Sequence, residues 1–391
     1  MAFFGRLDAS QCDTNKNMST ITLHEVADRR ALRRFIHLPQ QLYRGYPNWV
    51  PPIYADEWKF HDPKGNPALG YSETIRILAS ANGRTVGRIM GIINARYNAE
   101  HGEATARFFH LDCIDDSEVS HRLIRFIEQW AKARKMNRII GPFGYSDKDP
   151  QGLQIEGFEH LPVIATPTNP PYLPALLERE GYGKHLDCVS YQIPTMDGLP
   201  ALHQRILKRV VRNHKLRVVE FTSKKQLKPY VVPVFRLMNE TYAAIFGFTA
   251  MSEAEMRALA RQYMPVLDAD FVKLVTNSAD ELVGFFVGLP DMSRGLQKAK
   301  GELWPFGFLH LLAAAKRSRQ IDLVLGAVKE EYRGRGVHLL LGDALYRSAW
   351  KRGFEWMDSH LVLETNKMMR AEYENVGGQV YKRYRIYRKE L

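Results

Sequence analysis

Cysteine is scarce in this sequence: 391 residues hold three, Cys12, Cys113 and Cys188, widely spaced and odd in number. A disulfide framework or a cysteine-rich zinc site needs a different pattern, so neither organises this chain, and no metal-ligand set is read. The thiols fit a reducing cytoplasmic setting and read as ordinary core or tail residues. Long hydrophobic runs are missing as well. The longest are short and interrupted, as over residues 306–315, against the roughly 20 apolar residues a spanning helix requires. The N-terminus, Met-Ala-Phe-Phe-Gly-Arg, turns polar at once and lacks the basic, apolar and small-residue succession of a signal peptide. Residues 1–19 read as a disordered lead-in, with Met18 as a second candidate start.

What is present is globular: 45% of residues are apolar and 25% charged, which leaves enough apolar surface to build a core. The length is too great for one average domain and fits two units of roughly 150–200 residues. The formal charge of +12 calls for an anionic partner, whether a nucleotide, an acidic membrane surface or nucleic acid, without choosing among them. Basic clusters at 29–34, 208–215 and 382–389 read as solvated faces.

The pattern along the chain predicts one plan used twice. In the first half, a strand over 21–26 leads to an amphipathic helix over 28–41 capped by Asp28. Strands over 75–81 and 86–95 flank the turn Asn82-Gly83. A strand over 108–113 is followed by a long helix to about 135, capped by Asp116 or Ser117. A strand over 138–141, a helix over 172–180 ended by Gly181 and a strand over 187–193 close the unit. The second half repeats the order: strand 216–221, helices 227–245 and 252–263, hairpin 271–276 and 282–289, strand 322–328, helix 336–351, strand 356–365, helix 366–375, strand 379–387. Each half is a mixed α/β sheet. The division is 20–195 and 202–391, with a linker near 194–201.

The second half carries the chemistry. An apolar strand over 322–328 runs through Lys329-Glu-Glu-Tyr-Arg333-Gly-Arg-Gly336-Val-His338 onto a helix N-terminus. Free backbone N–H groups and the helix dipole make such a junction an anion site. Gly334 and Gly336 let a phosphate approach the backbone, and Arg333 and Arg335 add charge. A Walker loop is excluded by the missing Gly-Lys-Ser/Thr, and a dinucleotide fingerprint by Leu339 in place of its third glycine. Downstream, Asn366 suits a helix N-cap, and Tyr373, seven residues on, falls on the same face after nearly two turns of 3.6.

These residues resemble the GNAT (GCN5-related N-acetyltransferase) superfamily. Arg333-Gly-Arg-Gly336 matches the start of that family's Arg/Gln-x-x-Gly-x-Gly/Ala loop, and Asn366 to Tyr373-Glu-Asn-x-Gly377 matches its following helix. His338 departs from the loop's sixth position, usually glycine or alanine. The match spans about 216–387, and more faintly the first half, which has no glycine loop where its long helix begins. The resemblance implies two tandem GNAT-like lobes, the first degenerate, with acyl-CoA as co-substrate and no metal. It implies that acyl-CoA lies in a V between strands 323–328 and 356–365. Val328, Arg333, Gly334, Arg335, Gly336, Val337, His338 and Asn366 would hold the cofactor, and Tyr373 would protonate the leaving thiolate. For the base, period-two alternation puts Asp358, His360, Val362 and Glu364 on one strand face. Glu364, at the strand's C-terminal end, comes first and His360 second, with Glu330 or Glu331 acting through water as a further option.

The acceptor is read from an insertion over 290–319. Trp304 and Phe306 lead an apolar run, and Lys316, Arg317 and Arg319 follow it, which is the composition of an interfacial segment; a helix packed beside the acyl channel is the other reading. Tyr242, Phe246, Phe248 and Met251 would line the same groove. The two-part build with this insertion resembles a bacterial group that includes ceramide synthases. It implies N-acylation of a long-chain, sphingoid-like amine, with peripheral contact to an anionic membrane surface from the cytoplasm. Open beside it stand a small-molecule or amino-acid N-acyltransferase, a transferase using aminoacyl-tRNA (nucleic acid being the least favoured partner) and a non-catalytic acyl-CoA or lipid binder.

Overall fold

The computed structural model describes residues 20–199 and 201–391; the expectations for 1–19, Met18 and Cys12 lie outside them. Among the described residues fourteen strands follow one another. Those of the first half are β1 Thr22–Glu25, β2 Ser72–Ala81, β3 Arg84–Asn94, β4 Thr105–Cys113, β5 Arg138–Gly141, β6 Leu153–Glu156 and β7 Gly183–Pro194. Those of the second are β8 Arg217–Val219, β9 Val272–Thr276, β10 Leu282–Pro290, β11 Gln320–Val328, β12 Trp356–Asp358, β13 Val362–Leu363 and β14 Gln379–Glu390. Local signals set most of them. Asn82 and Gly83 both take positive φ, 51° and 73°, which turns β2 into β3 with the twist a two-residue hairpin needs.

All of these strands form one sheet, in the order β1-β2-β3-β4-β5-β14-β7-β12-β11-β10-β9-β8, with β6 on β14 and β13 on β7. The plan is repeated: an antiparallel run ends in one parallel pair, β4 with β5 and β11 with β12. The halves then exchange their last strands. β14 from the second half lies against β5 of the first, and β7 from the first lies against β12 and β13 of the second. β7 and β14 also pair with each other along nearly their whole length. The result is a mixed α/β fold of two tandem units, each completed by the other.

Equivalent helices cover equivalent faces. In the first half, helix Ser117–Ala133, with Asp116 accepting from Glu118 N and Val119 N, buries Val119, Leu123, Ile124 and Ile127 against β3. In the second, helix Val337–Lys351 buries Val337, Leu340, Leu341 and Leu345 against Val283 and Ile321. Each such side chain contributes about 1.5–3 kcal/mol. Cys113 and Cys188 are free and buried. Among the described residues no helix is long and apolar enough to cross a membrane.

Two expectations are corrected, and one helix is additional. The chain passes from the 194–201 stretch into Ala201–His214, a helix the pattern did not indicate, whose Leu207 is buried in the second core and whose Val210 packs on it. The strand expected over 356–365 is broken into β12 and β13 at residues 359–361, where His360 adopts φ 56°, outside the extended range. Asp358, His360, Val362 and Glu364 therefore do not alternate on one face. The basic cluster at 382–389 is also not wholly solvated. The Lys382 ammonium is fully buried, 3.2 Å from the Asp358 carboxylate, where burial is the largest single influence and opposes its charge, but Asp358, Tyr384 and Asp322 together hold its pKa up.

Candidate active site

The site begins where two parallel strands part. β11 and β12 are paired only at Gln320 with Trp356, Ile321 with Met357 and Asp322 with Asp358. Beyond Asp322, β11 runs on to Val328 with β10 as its sheet neighbour, while β12 stops and β13 follows β7. A bulge after Val287, where Leu325 and Leu323 face Val287 and Gly288, leaves Val324 as an extra residue and bends β11 away. One edge of residues 324–328 thus has no strand partner; the Tyr242 hydroxyl meets Gly326 there, and the other backbone groups of the edge are open to a ligand.

At the mouth of the V, a single 3-10 turn, Glu330–Tyr332, carries the chain to Gly334 and Gly336, with φ of 72° and 80°. Gly336 is the N-cap, and the first turn of the 15-residue helix has no side-chain cap, so its N–H groups remain free for an anion. The first half lacks this arrangement. There Asp116 fills the corresponding helix N-terminus with its own carboxylate. Past Arg107 the gap between β4 and β5 is closed by Phe143 N donating to Phe108 O, and the buried Arg107 guanidinium donates to Gly144 O and Tyr145 O.

The open V leads into a cavity of about 830 Å³. Of the expected cofactor residues, Val328, Arg333, Gly334, His338 and Asn366 line it. Arg335 instead lies over the Tyr332 ring, Gly336 packs on Val210, and Val337 is buried in the core. His338 faces Glu372 at 3.1 Å, tying the loop's helix to the following one. The same lining takes in Val234, Phe235 and Met238 of helix Val231–Tyr242, Leu259 of helix Glu253–Tyr263, Met264 just after it and Leu274 of β9.

Tyr373 and His360 line the same cavity. Asn366 caps helix Lys367–Asn375 by accepting from Met369 N at 3.2 Å, which sets the helix that carries Tyr373. Burial raises the Tyr373 phenol, which keeps its proton in place. His360 is held by its own backbone N–H donating to Asp358 Oδ1 at 2.5 Å, and its Nε2 lies 3.1 Å from the Ile164 carbonyl. A carbonyl only accepts, so Nε2 carries the proton and Nδ1 keeps the lone pair. Burial lowers the His360 pKa, against a smaller opposing pull from Asp358, so the ring is neutral. Asp358 also receives the Tyr381 hydroxyl.

Glu364 stands elsewhere. Its Oε2 receives Lys184 Nζ at 2.7 Å and its Oε1 receives Asp187 N at 3.1 Å, and it is not among the cavity residues. Glu330 and Glu331 also lie off the cavity lining. Of the acceptor residues, Tyr242 lines the cavity and donates to Gly326 O at 2.9 Å. Its phenol is pushed up to about 12 by burial. Phe246 packs on Phe143 and His185, Phe248 is buried beneath Lys148 Nζ, and Met251 packs against the Phe248 core cluster. Trp304 and Phe306 point outward, 84% and 71% exposed, so the insertion is not a wall of this cavity.

Sequence reasoning missed the first half's share of the lining: Asp147, Lys148, Asp149, Gln151, Ile164 and Ala165. One signal was available, because Asp147-Lys-Asp149 follows the C-terminal end of the parallel strand β5, where such sheets present their chemistry. A further polar group is buried in the first half, where Glu57, His61 and His110 bring ligand-type atoms within 4.8 Å of one another. Arg76 Nε donates to His61 Nδ1 at 3.0 Å, which spends the one lone pair of a neutral His61. The trio is therefore one donor short of a three-ligand metal set.

Protein-family models match no part of the chain. Among curated proteins it is 32% identical to the bacterial ceramide synthase of Caulobacter vibrioides, over 97% of this chain and 99% of that one. It is 28% identical to protein YghO of Escherichia coli, over 93% and 94%. Two solved structures share the fold: a tandem GNAT protein from the clavulanic acid biosynthesis pathway (TM-score 0.52, 15% identity, 95% of this chain and 98% of that one) and a GCN5-related N-acetyltransferase from Sphaerobacter thermophilus (TM-score 0.53, 14% identity, 95% of each). The chain belongs to the GNAT superfamily, in the long two-lobed bacterial group that includes the bacterial ceramide synthase, and it is an acyl-CoA-dependent N-acyltransferase.

Proposed function

We propose that this N-acyltransferase moves a long acyl chain from acyl-CoA to the amine of a lipid-like, sphingoid acceptor. The observation that carries the reading is the apolar lining that helices Val231–Tyr242 and Glu253–Tyr263 add to the cavity. The total of about 830 Å³, coenzyme end included, lies in the upper part of the ~300–1,000 Å³ range of ligand pockets. The name of the 32%-identical relative supports the sphingoid class.

In this reading Arg333, Gly334 and the free N–H groups at Val337 and His338 receive the pyrophosphate, and the open edge of residues 324–328 receives the pantetheine. The amine nitrogen attacks the thioester carbonyl, so a C–N bond forms and the C–S bond breaks. His360 Nδ1 takes the proton from nitrogen, and Tyr373 gives its proton to the departing thiolate. His360 takes precedence over Glu364 because it lines the cavity with a free lone pair, whereas Glu364 is engaged by Lys184 and Asp187. Residues 20–195 form the lobe without a coenzyme site and 202–391 the acyl-CoA-binding lobe.

Peripheral contact with an anionic membrane on its cytoplasmic face completes the reading. Trp304, Phe306, Phe308, Leu309 and Leu312 are exposed together, and Lys316, Arg317 and Arg319 follow them. Aromatics at headgroup depth with cations beside anionic lipid are the chemistry of an interfacial segment. The deciding experiment incubates the protein with acyl-CoAs from acetyl to stearoyl and with sphingoid, amino-acid and polyamine acceptors, and identifies products by mass spectrometry. Long-chain amides of the sphingoid base are expected. Acetylation of small polar amines alone, or coenzyme A binding with no product, would overturn the substrate class.

A further inference from the structure

We propose that the loop 142–151 of the first half supplies the acceptor end of the cavity, with the Asp147 carboxylate as the anchor for the substrate's ammonium group. The inference rests on the acyl-transfer reading and adds to it the part played by the lobe that has no coenzyme site. Asp147 lines the cavity that also holds Tyr373, His360 and Tyr242. The other carboxylates in the lining, and the neighbouring Lys148, are already committed. Asp149 Oδ2 accepts from Tyr145 N at 2.6 Å and Ser146 N at 3.1 Å. Glu372 is paired with His338 beside the phosphate loop. Lys148 Nζ donates to Thr249 O at 2.6 Å and lies over the Phe248 ring.

The Asp147 carboxylate differs from these. Among the described residues its side-chain hydrogen-bond partner is Lys148 Nζ, at 3.4 Å from Oδ1, and that ammonium is held more closely by Thr249. Its side chain is only 10% exposed. A carboxylate withdrawn from water with acceptor capacity to spare is satisfied by a charged donor. Burial also raises the Asp147 carboxyl, as it must where the compensating cation arrives with the substrate.

The loop is fixed before any substrate enters. Asp147 N donates to Gly247 O at 3.2 Å, Gln151 Nε2 donates to Asp147 O at 2.6 Å, and Phe143 bridges Gln151. The first of these contacts, with Lys148 Nζ donating to Thr249 O, ties the loop to segment 243–251 of the second half, the same segment that follows Tyr242. An aliphatic amine reaches the enzyme as its ammonium ion near neutral pH. Asp147 would draw that head group to the polar end while the apolar lining takes hydrocarbon, and the anchored ammonium releases one proton to solvent before the freed amine attacks. An alcohol of the same shape offers the carboxylate a neutral donor and no charge, so the anchor favours amines.

The test uses the full chain with an acyl-CoA and a long-chain amine that the wild type acylates. Asp147→Asn is expected to raise the KM for the amine about 10- to 100-fold, the loss of a charge-assisted hydrogen bond. Expected with it are little change in kcat and an unchanged Kd for coenzyme A, and Asp147→Glu should recover part of the loss. An amine KM that stays at the wild-type value in Asp147→Asn would overturn the proposal while leaving acyl transfer intact. Absence of transfer by the wild type to any amine would instead remove the acyl-transfer reading and the anchor with it. Should Asp147→Asn lose coenzyme A binding, the wild type itself decides the matter. With coenzyme A bound it should take dodecylammonium about tenfold or more tightly than dodecanol, and equal affinities would refute the anchor.

Discussion

Replacing Gly336 by alanine perturbs the coenzyme loop in two separable ways. Gly336 has φ 80° and Gly334 has φ 72°, and a left-handed backbone costs an L-residue roughly 1–2 kcal/mol more than glycine. At Gly334 an added Cβ would meet nothing within 4 Å, so the backbone term is the whole cost. At Gly336 it would meet Val210 Cγ2 at 2.6 Å and Cγ1 at 3.1 Å. Val210 sits on helix Ala201–His214 against the second core, so it has little room to yield, and overpacking adds about 1–3 kcal/mol. The summed penalty is about 2–5 kcal/mol for Gly336→Ala against about 1–2 kcal/mol for Gly334→Ala. The assay is denaturant unfolding in saturating coenzyme A, which captures both a weakened fold and a weakened complex. Val210→Ala combined with Gly336→Ala should return about 1–3 kcal/mol as coupling in a double-mutant cycle. Equal losses for the two single glycine variants, with no coupling to Val210, would refute this account of the loop.

Tyr373→Phe should lower kcat by about 10²–10⁴-fold while the coenzyme A Kd from calorimetry stays within a few-fold, the signature of a lost general acid; unchanged turnover would end that assignment. His360 works as a base only when unprotonated, and burial holds its pKa below the usual 6.5. Once the ionisation of the amine substrate is divided out, wild-type turnover should therefore be flat above about pH 6.5 and fall only as pH drops through the depressed value. His360→Gln should lose that acid limb together with about 10²–10⁴-fold in kcat, and a pH profile that keeps the limb would point to another group. Trp304→Ala with Phe306→Ala should weaken sedimentation with anionic vesicles by about tenfold or more, since fully burying one large apolar side chain is worth about 1.5–3 kcal/mol. Undiminished sedimentation of the double variant would remove the interfacial role.

The parts of this protein that were legible in its sequence are those whose cause lies within a few residues. Asp28, Asp116, Ser252 and Asn366 cap helices because a short polar side chain reaches N–H groups two or three positions on. The hairpin at Asn82-Gly83 and the anion loop at Gly334 and Gly336 follow from positive φ, which glycine and asparagine accept locally. Those signals, with apolar periodicity, determined a doubled α/β plan and the loop proposed to hold the coenzyme. The tertiary structure decided what depends on residues far apart in the chain. His360 leaves the strand and faces the cavity, with Ile164, 196 positions away, receiving its ring N–H. Glu364, by the alternation rule its equal, is drawn off by Lys184, 180 positions away. Strand exchange sets β7 and β14 in each other's sheets, and the loop carrying Asp147 is pinned to Gly247. Patterning specifies which face of an element is apolar, but not which distant partner covers it, and here the partner comes from the other half.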